Sequence, residues 1–363
     1  METNINKWPV YAKLSSIIVG VLALFYIFYV GKDIFVPIVF SIIIAILLNP
    51  MVNFLCKKKI NRTLAILLSV VSTIILILVL VYFILSQAAM FSDSLPLFKQ
   101  KFLVIVNDCI NWISSNFNID KPKIDSWIAD AKSEGMSNSS NFLGNALVSV
   151  GGVLALVLLI PVYIFMLLYY KPLLLEFISQ LFKNDKKIAN EVLNETKSLI
   201  QSYLIGLLIE AAIIALINSV GLLLLGIQYA IFIAIIGALL NLIPYIGGLV
   251  AISIPLLIAI ATKSPIYALW VFILFITVQI IDNNYIVPKI VASKVKMNAL
   301  VSIIVILIGG ALWGVAGMFL AIPITAIMKV VFDRITPLKP FGFLIGDNQS
   351  DILHSIIKKN KLD

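Results

Sequence analysis

Long apolar runs separated by short polar connections extend over most of the chain. These runs occupy residues 14–30, 34–55, 64–85, 147–170, 203–225, 230–261, 266–281 and 300–331. A helix needs about 20 predominantly apolar residues to cross the ~30 Å hydrocarbon core of a bilayer. The pattern therefore predicts an all-α, polytopic integral membrane protein.

The run at residues 230–261 is broken near its middle. Asn241, Pro244, Gly247 and Gly248 interrupt it. Lipid cannot hydrogen-bond a freed backbone, so a break of this kind persists only where protein or water surrounds it. Carriers build solute and ion sites at broken helices. We therefore interpret this group as a functional hinge or solute site, with a purely structural kink as the alternative.

The last run, residues 300–331, is also broken. It would be ~48 Å long as a straight helix, which is too long for one span. It contains Gly309, Gly310, Gly314 and Gly317, which we interpret as gating glycines. Close helix packing of the GxxxG kind is the alternative. Each broken run is either a re-entrant hairpin or two short spans, and charge counting does not choose between them.

The positions of the charges set an orientation. The chain is 61% hydrophobic and 12% charged, with a net charge of +9. Nucleic acid is not the expected partner, because Lys and Arg lie in short connections beside apolar runs, as the positive-inside rule describes. The densest basic group, residues 57–62, is predicted to be cytoplasmic. This assignment places both the N-terminus and the C-terminus in the cytoplasm.

The alternation of apolar and polar stretches also predicts an organisation. Residues 1–85 form a three-span segment, and residues 86–145 form an extracytoplasmic helical segment. Residues 146–335 form a transport core with broken helices, and residues 336–363 form a cytoplasmic tail. An amphipathic helix is predicted around residues 98–113, and residues 171–201 are predicted to form an amphipathic, cytoplasmic helical connection.

Polar side chains inside the apolar runs are the candidates for function. Glu210 lies within a span, where an unpaired charge costs roughly 2.5–3.5 kcal/mol. It is either a proton or cation relay or a helix-packing acid. The end of a later span combines groups that would hold a cation or polar solute, or would form an ordinary interfacial helix end: Gln279, Asp282, Asn283, Asn284 and Pro288.

The sequence lacks the sets of residues that common enzymes, metal sites and cofactor sites require. The sequence has no Ser-His-Asp set, no H-E-x-x-H motif, no Walker A motif and no GxGxxG motif. The single histidine, His354, lies in the polar tail, and no pair of cysteines has metal-ligand spacing. We therefore predict no enzymatic activity, no bound metal and no cofactor.

An ordered set of short motifs produces a family resemblance. The motifs are Val36-Pro37, Leu47-Leu48-Asn49-Pro50, Leu159-Ile-Pro-Val-Tyr-Ile-Phe165, Leu242-Ile-Pro-Tyr-Ile-Gly247, Asp282-Asn-Asn-Tyr-Ile-Val-Pro288, and Gly309-Gly-Ala-Leu-Trp-Gly-Val-Ala-Gly317 followed by Ile322-Pro323. Together they resemble the AI-2E (autoinducer-2 exporter-like) family of bacterial inner-membrane permeases. Gly248, Ala292 and Ala299 depart from the family pattern, which commonly has Pro, Gly and Pro at these places.

The resemblance implies a carrier of about eight spans in the bacterial cytoplasmic membrane. It also implies export of small polar signal molecules in some members, Na⁺(Li⁺)/H⁺ antiport in others, and a homo-oligomer, suggested to be a pentamer. We expect export of a solute resembling autoinducer-2, with Glu210 or Asp282 titrating. The alternatives are Na⁺(Li⁺)/H⁺ antiport and a non-transporting scaffold in which residues 86–145 bind an envelope partner.

Overall fold

The computed structural model describes residues 9–117, 159–181, 186–243, 247–292 and 297–347. Their regular secondary structure is helical, and the one bridge within them pairs Met297 with Gly346. The helices are α1 Val10–Val30, α2 Lys32–Lys57, α3 Arg62–Phe117, α4 with described residues Leu159–Tyr169, α5 Lys171–Leu181, α6 Lys186–Leu224, α7 Ala230–Asn241, α8 Gly247–Thr262, α9 Pro265–Ile281, a π-helix Asp282–Ala292, α10 Ala299–Arg334, a 3₁₀ turn Thr336–Leu338 and α11 Lys339–Ile345.

Several of these helices are long and apolar enough to cross a membrane. The described ranges contain 6 by length and composition, or up to 7 if the bent pair α4 and α5 forms one span. This finding confirms the predicted all-α polytopic fold. The prediction of about eight spans included residues 230–261, which contain the two shorter apolar helices α7 and α8.

Two helices continue through places where the composition of the chain changes. α3 is one helix of 56 residues that carries the predicted span and the amphipathic residues 98–113 together. α6 is one helix of 39 residues that joins the predicted cytoplasmic helix to the next span. In α6 the cause is visible in the sequence, because no glycine or proline lies between Lys186 and Ile205. A change from polar to apolar composition alters the environment of a helix without breaking its backbone.

The chain divides into two compact units. One contains Met1–Leu47, Met166–Ile200 and Val295–Asp363, and the other contains Leu48–Phe165 and Gln201–Lys294. We refer to them as the first and the second unit. The predicted division into four segments rested on composition and stays a prediction.

In the first unit, α10 reverses direction. Trp313 (φ −130°, ψ 15°) and Gly314 (φ 63°, ψ −143°) leave the helical region. A Cβ atom on Gly317 would overlap the carbonyl oxygen of Gly309. Residues eight apart in a straight helix are ~12 Å apart along its axis. The two arms of α10 therefore fold back on each other. The interruption lies at Trp313–Gly314 and not at the Gly309–Gly310 pair.

The turn of this hairpin is anchored to the end of α1. The indole Nε1 of Trp313 donates a hydrogen bond to the carbonyl oxygen of Phe28 at 2.9 Å. Phe28 lies in the last turn of α1, where carbonyl groups lack helical partners, so the indole satisfies one of them. The ring of Phe319, on the second arm, stacks on Phe40 of α2 with a centroid distance of 5.9 Å.

The two ends of the α10 hairpin are held by polar contacts. Asn298 caps the first arm by accepting a hydrogen bond from the amide of Val301 at 2.9 Å. At the end of the second arm, the guanidinium of Arg334 bonds the carboxylates of Glu191 and Glu195. These two glutamates are four residues apart on α6, so they share one face. The hairpin is therefore fixed at both its turn and its base.

In the second unit, α7 and α8 form another hairpin. A Cβ atom on Gly247 would overlap the carbonyl oxygen of Leu240, and a Cβ atom on Gly237 would lie 3.6 Å from that of Ala251. At the open end, a Cβ atom on Gly226 would lie 3.2 Å from Nζ of Lys263. The predicted Pro244 lies outside the described residues. Small side chains thus allow the two short helices to pack closely along their length.

We predict that Gly317→Ala destabilises the protein, because the new methyl group meets backbone that has no alternative rotamer. The expected loss is about 1–3 kcal/mol, as for overpacking of a dense core. The measurement is the melting temperature of the detergent-purified protein. The matched control is Gly20→Ala, because nothing lies within 4 Å of a Cβ atom at Gly20. Equal melting temperatures for the two variants would contradict the close contact between the arms of α10.

Candidate functional site

Asp282 is the most deeply buried acid at the candidate site. It follows α9 directly and begins the π-helix Asp282–Ala292, and it is 2% exposed. A π-helix has a wider turn than an α-helix, and such turns occur frequently at functional sites. Pro288 lies within this π-helix and has no N–H to donate.

The carboxylate of Asp282 is bonded to the end of the α7–α8 hairpin. Nδ2 of Asn241, the last residue of α7, donates to Oδ2 of Asp282 at 2.9 Å. Oδ1 of Asp282 is buried and accepts no hydrogen bond from the described part of the chain. One oxygen is thus committed to the hairpin, and the other is left free to bind a proton, a cation or water.

Glu210 is a second acid that is buried near Asp282. It lies on α6, is 5% exposed, and interacts electrostatically with Asp282. It precedes the end of α6 at Leu224 by about 21 Å of helix, which places it deep within the span. Its Oε2 atom also has no hydrogen-bond partner among the described residues. The ion pairs found in those residues involve neither Glu210 nor Asp282.

Gly248 allows two amide side chains to approach the hairpin. A Cβ atom at this position would lie 2.6 Å from Oε1 of Gln279 and 3.3 Å from Oδ1 of Asn241. Gln279 in turn donates to Oδ1 of Asn283 at 3.4 Å. The glycine that occupies the place of the family's common proline therefore lies against two polar groups. A larger side chain would displace them.

The surroundings of the acids are apolar. A buried cluster of Ile214, Ala238, Val278 and Ile286 brings together α6, α7, α9 and the π-helix. Ile214 is four residues after Glu210, and Ile286 is four residues after Asp282. Two carboxyl groups in such surroundings repel when both are ionised, and water does not screen them. The site is therefore suited to hold a proton or a small cation between the acids.

The predicted site residues separate into groups. Glu210, Asn241, Gly247, Gly248, Gln279 and Asp282 belong to the second unit and line the α7–α8 hairpin or its buried neighbours. Asn283, Asn284 and Pro288 are exposed. Asn284 donates to the carbonyl oxygen of Ile280 in its own helix at 2.8 Å. Gly309, Gly310, Gly314 and Gly317 lie in the first unit.

Two buried polar residues were missed by the sequence argument. Tyr203 and Asn218 are each 3% exposed. They lie seven residues before and eight residues after Glu210, so all three share one face of α6. Oδ1 of Asn218 accepts no hydrogen bond within the described ranges. The seven- and eight-residue spacing was the signal available in the sequence.

Comparison with known proteins identifies the family. The sequence profile described as the AI-2E family transporter matches residues 16–336. The chain belongs to the AI-2E transporter family. The match includes the complete candidate site and both hairpins. The resemblance seen in the motifs is confirmed, and the family is one of transporters.

Related proteins are also named as transport proteins or permeases. A Haemophilus influenzae protein named "Putative transport protein" is 28% identical over 353 residues, which cover 96% of this chain and 99% of that protein. "Putative transport protein YrrI" of Bacillus subtilis is 27% identical over 83% of this chain and 86% of its own. "Putative permease PerM" of Escherichia coli is 25% identical over 70% and 76%, respectively. None of these three names states a substrate.

We predict that Asn241→Ala destabilises the protein by about 1–3 kcal/mol, because it leaves the buried carboxylate of Asp282 without the amide that it accepts from. Thermal unfolding in detergent measures the effect. Asn284→Ala is the matched control, since that exposed amide bonds only to its own helix. If the two variants unfold at the same temperature, the bond between Asn241 and Asp282 contributes nothing to stability.

Proposed function

We propose that this AI-2E family member is a secondary exporter of a small polar solute and that Glu210 and Asp282 bind the coupling proton. The observation that carries the proposal is a pair of buried, interacting acids, each with one oxygen that lacks a hydrogen bond in the described structure. Intramembrane acids of this kind mark proton and ion pathways. A solute resembling autoinducer-2 is the substrate that the family name favours.

The hairpin supplies a route from proton binding to movement. Asn241 joins Asp282 to the end of α7, and Gly248 at the start of α8 lies against Gln279. A proton on Asp282 weakens the charge-assisted bond from Asn241, because a neutral carboxyl is a poorer acceptor than a carboxylate. Protonation thereby releases the hairpin end, and deprotonation restores the bond. The solute binds where the amides of Asn241 and Gln279 meet.

The membrane arrangement is part of the same proposal. α7 is about 18 Å long, which is too short to cross a ~30 Å hydrocarbon core, so we assign α7 and α8 to a re-entrant hairpin. The excess of Lys and Arg in residues 57–62 supports a cytoplasmic position for that connection and for both chain ends. The bacterial cytoplasmic membrane is the proposed location. The homo-oligomer, including the pentamer, stays a prediction from the family resemblance.

Na⁺(Li⁺)/H⁺ antiport is the second candidate. It is favoured by the chemistry of the two acids, because Oε2 of Glu210 and Oδ1 of Asp282 are hard oxygen ligands that have no hydrogen-bond partner among the described residues. In this case a sodium or lithium ion alternates with the proton at the acid pair. The two candidates differ in whether a solute is required.

We predict that Glu210→Gln and Asp282→Asn each abolish solute accumulation, because neither amide binds or releases the coupling proton. The measurement is uptake of labelled autoinducer-2 into inside-out vesicles with an imposed proton gradient. Asp33→Asn is the control, since Asp33 is an exposed carboxylate in the first turn of α2. Vesicles without the protein set the background.

The outcomes separate the candidates. Accumulation by the unaltered protein and by Asp33→Asn, with loss in the two site variants, supports the proposed exporter. Full transport by both site variants would remove the acid pair from the mechanism. Absence of solute uptake in all vesicles, together with sodium-dependent dissipation of the proton gradient that Asp282→Asn lacks, would instead establish antiport.

A further inference from the structure

Asn218 is a buried amide in the apolar C-terminal half of α6. It is 3% exposed, and its Oδ1 atom accepts no hydrogen bond from the described residues. It follows Glu210 by eight residues, which is about 12 Å of helix, and precedes Leu224 at the end of α6 by about 9 Å. The amide therefore lies between the acid pair and the C-terminal end of α6.

The proposed topology gives α6 a direction. The α10 hairpin and the α7–α8 hairpin each return to the side of the membrane where they begin. With the C-terminus in the cytoplasm, α9 then runs inward and α6 runs outward. A Cβ atom on Gly226, just after α6, would lie 3.2 Å from Nζ of Lys263, just before α9, so these two helix ends lie together. Asn218 is thus on the outer side of the acids.

Apolar residues lie one turn away from Asn218 on either side. Ile214 belongs to the cluster around the acids, and Leu222 belongs to a second buried cluster that includes residues of α7, α8 and α9. A Cβ atom on Gly221 would lie 2.6 Å from the side chain of Leu274, so α6 and α9 are in close contact at this level. An amide oxygen in such surroundings is unfavourable without a donor.

The charges around Asn218 are all negative. Residues 201–262 and 264–288 contain the two acids of the candidate site and no Lys, Arg or His. Such surroundings favour a cation over an anion. Within the described part of residues 201–292, the buried side-chain atoms without a hydrogen bond are three oxygens: Oε2 of Glu210, Oδ1 of Asp282 and Oδ1 of Asn218. Carriers bind sodium ions and protons through oxygen ligands of this kind.

We propose that Asn218 is a polar station on the route of the coupling cation between the acid pair and the outer face of the membrane. The inference rests on the proposed coupling at Glu210 and Asp282, and it adds the path that the cation takes. The amide oxygen binds a hydrated monovalent cation, hydronium or sodium, as it crosses the apolar layer between Ile214 and Leu222. Because Asn218 is buried, the cation reaches it only when this layer opens.

Cysteine labelling from the outer side tests the route. The full-length protein with Cys56→Ser and Cys109→Ser receives Asn218→Cys, Val220→Cys or Val271→Cys. Val220 is 49% exposed, and Val271 of α9 is fully buried in the second apolar cluster. Val220 is two residues from Asn218, and Val271 is six residues from the start of α9, so both lie near the depth of Asn218.

Two membrane-impermeant methanethiosulfonates are added outside right-side-out vesicles, one carrying a trimethylammonium group and one a sulfonate. The measurement is the rate at which the protein thiol is lost. Each rate is divided by the rate of the same reagent with free cysteine, which removes the difference in their intrinsic reactivity.

Position 218 is expected to react with the cationic reagent at least about tenfold faster than positions 220 and 271, because thiols ionise in water and not in apolar surroundings. The normalised rate at position 218 should also be higher for the cationic reagent than for the anionic one. Equal rates at the three positions would show that no aqueous route reaches Asn218. That result, or a normalised rate at position 218 that is equal or higher for the anionic reagent, would overturn the proposal.

Replacing the acids tests their link to Asn218. With Glu210→Gln and Asp282→Asn together, the preference at position 218 for the cationic reagent should fall, because the negative charges that attract it are gone. An unchanged preference would contradict the proposal. In the protein that retains both acids, slower labelling in sodium chloride than in choline chloride would identify sodium as the cation, and equal labelling would identify the proton.

Should Asn218→Cys fail to fold, Ala215→Cys replaces it. Ala215 is three residues before Asn218, on the same side of α6, and packs against the cluster around the acids. Rapid cationic labelling there supports the route, and a rate equal to that at position 271 rejects it. Because labelling needs no solute, failure of the proposed exporter leaves these rates readable. Solute export together with an unreactive position 218 would reject the station alone.

Discussion

The hydrogen bond between Asn241 and Asp282 is the interaction on which the candidate site depends. A hairpin end inside a membrane has backbone and side-chain polar groups that lipid cannot satisfy. Asn241 ends α7 and gives its amide N–H to a carboxylate on the neighbouring π-helix. The bond stabilises the end of the hairpin and commits one oxygen of a buried acid. The remaining polar features of the site are arranged around it.

This hydrogen bond also determines which oxygen of the Asp282 carboxylate is left without a partner. Because one oxygen of Asp282 accepts a hydrogen bond from the hairpin, the other remains buried without a hydrogen-bond partner among the described residues. Two acids brought together without a basic partner are unfavourable unless something positive joins them. The repulsion between two such acids favours a proton or cation, which is held strongly enough to bind but can still be released. Transport proteins use this property. Asn241 joins Asp282 to the hairpin end, so the proposed binding of a proton or cation at the acids would also act on that end.

Both hairpins solve the same packing problem with glycine. In α7–α8, Gly247 lies against the carbonyl of Leu240, and in α10 the backbones of Gly309 and Gly317 meet directly. The hydrophobic effect does not drive helices together within lipid, so close backbone contact is the main source of attraction. The α10 turn also needs Gly314, because its positive φ of 63° is unfavourable for other residues. Trp313 then ties that turn to the unsatisfied end of α1.

The sequence by itself determined the class of the protein, its family and most of the polar residues at the site. Apolar runs and their spacing reveal helices in lipid, because the bilayer demands about 20 apolar residues per span whatever the neighbours are. The isolation of Glu210 among apolar residues was equally visible. The continuity of α6 is also readable from the sequence, since no glycine or proline lies between Lys186 and Ile205, although the composition changes from polar to apolar there.

Only the tertiary structure decided which of these residues meet. Asn241 and Asp282 are 41 positions apart, and their bond depends on the hairpin folding back against α9 and the π-helix. The turn of α10 lies four residues beyond the glycine pair, because the pair is needed where the two arms touch rather than where the chain reverses. The spacing of Asn218 from Glu210 is visible in the sequence, but only the packing shows that its side chain is buried with Oδ1 lacking a hydrogen-bond partner among the described residues. Local composition indicates whether a residue lies in lipid or in water. The residues that it contacts depend instead on packing between segments that are distant in the chain.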